Sequence, residues 1–235
     1  MSSKISFPFE RDKSYSIGEL RAFQTKMSQS FRDDPALGDD IRSGKLKLWR
    51  EELFPILLYA DHKRLSDNAE FRIIPEGDAV DVELRSSSAL TRFQITTAYP
   101  EWDGPGDEAR DGGYIRHALE YAGVNQRVPV FGSGQIDKRP DGRIVSSPRA
   151  RSPDVDRTAW QLGLTKAISN KLAKPETSQK ADVLLIYAEW LRINTIDEKT
   201  EDVVLPAIQE AIRESSMPFT RLIILDQGAY IEYRS

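Results

Sequence analysis

The sequence predicts a mixed α/β fold, and three observations carry that reading. Amphipathic helical segments alternate with short apolar runs, three of which cluster between residues 70 and 98. Val183-Leu184-Leu185-Ile186-Tyr187 is almost continuous in apolar residues, as expected for a strand covered on both faces. Between them, Trp160, Leu164, Ile168 and Leu172 recur at i, i+4 and predict a helix lying over the sheet. The expected architecture is a central mixed sheet flanked by helices, with a long insertion after its third strand.

Residues 1–16 are polar with scattered aromatics and read as an irregular arm. Ser16 and Glu19 have the spacing of a capping box, opening a helix whose Leu20, Phe23 and Met27 form one apolar face. That helix ends near Asp33-Asp34-Pro35. A second runs from about Gly44 to Asp61, where Pro55 should kink or divide it because it lacks an N–H. Strands follow at about 70–74, 79–85 and 90–98. The arm and first helix, 1–44, form one unit, and 45–235 form the α/β domain.

Residues 99–152 are an insertion rich in Gly, Pro, Asp and Arg, a length that is uncommon without a function of its own. Gly113–Gly123 within it reads as a short helix, and Arg139-Pro-Asp-Gly142 as part of a small hairpin or ordered loop. The next helix starts at Asp154 or Asp156 and stops by Pro175. A strand at 181–188, a helix at 198–214 and strands at about 220–226 and 228–233 complete the chain.

With 39% apolar and 30% charged residues among 235, the composition is that of an ordinary soluble globular protein with room for one well-packed core, or a core plus a subdomain. No run approaches the ~18 apolar residues of a membrane span, and no signal-peptide pattern opens the sequence. The absence of cysteine excludes disulfides, thiolate metal sites and cysteine nucleophiles, and suits the cytoplasm. A formal charge of −4 supplies no global attraction for nucleic acid, so a nucleic-acid partner would need a local basic surface.

The chemistry-bearing stretch is the hairpin formed by the second and third strands. Period-2 alternation turns Val80, Val82 and Leu84 one way and Asp81, Glu83 and Arg85 the other. In the next strand Phe93 and Ile95 alternate with Gln94 and Thr96, and Ser86-Ser87-Ser88 supplies the turn. Such a polar face either holds a divalent cation through oxygen donors or faces water.

The order α-β-β-β-α-β over residues 45–190, with this hairpin, resembles the restriction-endonuclease-like PD-(D/E)xK superfamily. Asp81 matches the first acid of that motif, whereas Gln94 stands at the second-acid position and Thr96 at the lysine position. The resemblance implies a metal-dependent nuclease, or a nuclease-derived nucleic-acid-binding protein, with Asp81 and Glu83 holding Mg²⁺ or Mn²⁺ and Gln94 orienting the ion or its water. A non-enzymatic protein-interaction module on the same scaffold is the competing expectation.

Thr96 carries no positive charge, so a cation must come from elsewhere. Lys171 flanks the buried stripe of the helix over the sheet and is the first candidate, with Lys166 second. Either Glu51 or Glu52 can add a carboxylate. Arg139, Arg143, Arg149 and Arg151, with Lys138, form a basic loop that either contacts phosphates or is solvated. His62 and His117 are too few and too far apart for a zinc site, and Gly132-Ser-Gly134 reads as a plain turn.

Overall fold

The computed structural model describes residues 6–33, 47–87, 89–98, 134–138, 144–148, 153–173, 180–188, 200–213 and 217–234. Among them, four α-helices flank a seven-stranded mixed sheet, and a separate two-stranded hairpin lies in the insertion. The strands are β1 (Ser14–Ser16), β2 (Glu70–Ile73), β3 (Val82–Ser86), β4 (Ala89–Thr97), β5 (Gly134–Lys138), β6 (Ile144–Pro148), β7 (Val183–Tyr187), β8 (Arg221–Leu225) and β9 (Tyr230–Arg234). The helices are α1 (Ile17–Asp33), α2 (Phe54–His62), α3 (Pro153–Leu172) and α4 (Thr200–Ile212).

The sheet order is β1-β2-β3-β4-β7-β8-β9. Strands β1 to β4 pair antiparallel, β4-β7 and β7-β8 are parallel, and β9 returns antiparallel on β8. The parallel β4-β7 pair requires a crossover, and α3 lies in that connection. The insertion's hairpin pairs Gly134 with Pro148 and Lys138 with Ile144 around residues 139–143, where a turn was expected.

Each face of the sheet carries its own core. On one, Val82, Leu84, Phe93, Ile95, Val183 and Leu185 pack beneath α1 and α2 through Leu20, Phe23, Ile56 and Leu57. On the other, Leu184, Ile186, Leu222 and Ile224 pack beneath α3 and α4 through Trp160, Leu164, Ile168 and Ile208. The first helix thus shares a core with elements after residue 45.

Two local expectations change. The arm is not wholly irregular: Ser14–Ser16 add an edge strand to β2, and Phe9 is buried against Phe23 and Phe71. The hydrophobic effect draws these arm aromatics onto the core. The second change is the alternation before β3. Val80 packs in the α3–α4 core, whereas Val82 and Leu84 pack in the α1–α2 core, so the three do not point one way. The pleat breaks at Asp81, whose N–H donates to the Phe93 carbonyl at 2.9 Å while its own carboxylate takes the Ile95 N–H at 2.6 Å. A side chain substituting for a backbone acceptor lets the strand change face without orphaning a buried amide.

Pro55 divides the second helix as expected. Trp49–Leu53 form a π-helical turn, and Pro55 lies in the first turn of α2, where a missing N–H costs least.

Candidate active site

The site forms where β2 ends and β3 begins, and Asp81 is its centre. Its backbone joins both neighbouring strands: its carbonyl accepts the Ile74 N–H at 2.9 Å and its N–H reaches Phe93. With the Ile95 N–H on its carboxylate, Asp81 therefore brackets Gln94, bonding the residue before it and the residue after it.

Gln94 is only 6% exposed, and its Oε1 has no hydrogen-bond partner. Leaving a buried carbonyl oxygen unsatisfied costs about 1–3 kcal/mol. Among the described residues, the other two such side-chain atoms, Arg50 Nε and Trp160 Nε1, are nitrogens; Gln94 alone offers an oxygen that can receive a cation or a water proton.

The π-helical turn Trp49–Leu53 buries Trp49 and Leu53 and leaves Glu51 and Glu52 on different partners. Glu51 pairs with Arg50 and Lys47. Glu52 turns toward the sheet, where Arg11 grips it with two bonds, Nη2 to Oε1 at 2.6 Å and Nη1 to Oε2 at 3.2 Å. Arg11 Nη1 also donates to the Ile74 carbonyl at 2.8 Å, tying the arm to the residue whose amide pairs with Asp81.

Electrostatics link these groups. Burial raises the Asp81 pKa above its ordinary value, opposed by the Ile95 amide and by the charges of Lys171 and Arg11. Burial likewise raises the Glu52 pKa; the Arg11 hydrogen bond opposes this, while the negative charge of Asp81 adds to it. The charges of Arg11 and Lys171 thus act on Asp81, and those of Arg11 and Asp81 on Glu52, while the buried Gln94 lies between the two β4 residues that Asp81 bonds. Lys171 is half-buried in the last turn of α3, whereas Lys166 is exposed.

Glu83 has other partners. It stands in a row across three strands, between Arg72 at 3.9 Å and Arg92 at 3.5 Å. These residues help line a groove of about 680 Å³ that also includes Ile74, Val80 and Lys180. Thr96 is partly buried in β4 beside Ile186 of β7. Arg139, Arg143, Arg149 and Arg151 lie outside the described residues, as does His117, and the same holds for the helix expected at 113–123. His62 stacks on Tyr230 with ring centroids 3.8 Å apart.

Among the described residues, no group of three or more histidine or acidic side chains comes together as a metal site. Asp81, Glu52 and Gln94 carry oxygen donors, the hard ligands that Mg²⁺ and Mn²⁺ take. The orphaned Gln94 oxygen fits such an ion. Arg11 was absent from the sequence reading: its partner lies 41 residues away, and an arm without periodicity carries no signal for the pairing. No protein-family model, curated protein or solved structure matches the chain. No helix among the described residues is long and apolar enough to cross a membrane.

Proposed function

We propose that this chain is a divalent-metal-dependent nuclease on a restriction-endonuclease-like PD-(D/E)xK scaffold. The observation that carries the reading is the buried, unpartnered Oε1 of Gln94, whose two neighbours in β4 are both bonded by Asp81, with Lys171, 90 residues on in sequence, adding a positive charge that acts on Asp81. A cation was required from outside the strand because Thr96 occupies the motif's lysine position. The order π turn and α2, three antiparallel strands, α3, then β7 parallel to the third strand supports the same scaffold.

In this reading Asp81, Glu52 and the Gln94 amide oxygen hold Mg²⁺ or Mn²⁺. The bound ion would polarise the phosphate and lower the pKa of a water. The Ile95 N–H fixes one Asp81 oxygen, and the other would ligate the ion. Lys171 offsets charge that grows on the phosphate oxygens as the water oxygen bonds to phosphorus and the strand oxygen leaves with a proton. Glu83, held by Arg72 and Arg92, lines the flanking groove.

The test is cleavage of single- and double-stranded DNA and RNA with Mg²⁺ or Mn²⁺. Asp81→Asn and Lys171→Met should each lower the rate at least a hundredfold, while Lys166→Met should leave it near that of the unmodified protein. Absence of cleavage by the unmodified chain on all four substrates would favour a non-enzymatic binding module. Gln94 and Thr96 support that second reading, as does the grip of Arg11 on Glu52.

A further inference from the structure

We infer that Arg11 is a phosphate-binding residue, which with Lys171 clamps a nucleic-acid phosphodiester over Asp81 from two separate elements. This rests on the nuclease reading and adds a substrate contact from the N-terminal arm. The guanidinium is held in place: Glu52 takes two of its hydrogen bonds and the Ile74 carbonyl a third. Arginine has five N–H donors, so two remain for a ligand, and the side chain is 30% exposed. A planar fork fixed on one edge and open on the other suits a phosphate, which accepts paired N–H bonds.

Charge balance points the same way. Arg11 and Lys171 both act on the Asp81 carboxylate, and Arg11 also binds that of Glu52. A divalent cation beside them would add positive charge, which a phosphodiester matches, the more so as its charge grows during attack by water. An arginine serving only to tie the arm would not need open N–H groups at the end of β2.

The experiment measures binding of labelled single- and double-stranded oligonucleotides over a salt series, with Ca²⁺ replacing Mg²⁺. Losing one phosphate contact should weaken binding about tenfold and reduce the slope of log affinity against log salt by about 0.7–0.9. Arg11→Gln should show both changes. Arg11→Lys keeps the charge and should retain the slope even if the arm loosens and melting temperature falls. A slope unchanged in Arg11→Gln, or lowered equally in Arg11→Lys, would make Arg11 a structural tie only. Binding without cleavage, with the slope falling in Arg11→Gln, upholds the phosphate contact and removes the nuclease. Cleavage abolished by Asp81→Asn with the slope intact in Arg11→Gln does the reverse. No binding by the unmodified chain overturns the phosphate contact outright.

Discussion

Asp81 is a residue whose chemistry and stability oppose each other. Its raised pKa, caused first by burial, means that the folded state binds a proton more tightly than the unfolded one. Stability therefore falls as pH rises from the ordinary carboxyl range through the folded-state pKa. Asp81→Asn removes the buried charge while keeping an oxygen for the Ile95 N–H, so it should raise the melting temperature at pH 7. A relief of about 1 kcal/mol corresponds to about 2–4 °C in a domain of this size. The gain should shrink as pH falls toward 4, and a melting temperature lowered at pH 7 would refute this account. Glu232 has the opposite sign. Burial pushes its pKa up, but hydrogen bonds from Tyr230 and Lys63 outweigh that and bring it down to about 2. Its stabilisation is full above about pH 4.5 and is lost as pH falls toward 2. Glu232→Gln should cost about 1 kcal/mol or less at pH 7, because its cationic partners stay partly in water, and the difference should vanish near pH 2. Denaturant melts at the two pH values check this.

At the scale of elements, local signals were legible wherever the partners lie a few residues apart. Ser16 and Glu19 form the expected capping box: the Glu19 N–H donates to Ser16 Oγ at 3.1 Å, and the Ser16 N–H to Glu19 Oε2 at 2.7 Å. Ser16→Ala should cost about 1 kcal/mol in urea denaturation, and no measurable loss would show that tertiary packing alone holds the start of α1. The four apolar residues spaced along α3 are all buried. Alternation failed at Val80, because period-2 reasoning assumes an unbroken pleat and the Asp81 side chain interrupts it.

At the scale of the molecule, β7 joins the two halves. Val183 and Leu185 enter one core and Leu184 and Ile186 the other, and all five strand residues are buried. Paired on both edges and covered on both faces, its amides should open only with global unfolding. Native-state hydrogen exchange should find its slowest amides in β7, followed by β4 and β8. Slower exchange in the edge strands β1 or β9 would contradict this ordering.

The sequence by itself determined the α/β class, the order of the described helices and strands apart from the edge strand β1, and Asp81 with Lys171 as candidates, because periodicity and residue chemistry act over short range. Only the tertiary structure set the partners of the other two candidate acids. Glu52, on a π turn, is held by Arg11, and strand register draws Glu83 into ion pairs with Arg72 and Arg92. Only the fold brought in Arg11, since its contacts with Glu52 and Ile74 join residues 41 and 63 positions apart. Nothing in a local pattern encodes such pairs; they arise when burial of the arm's aromatics draws Arg11 to the end of β2.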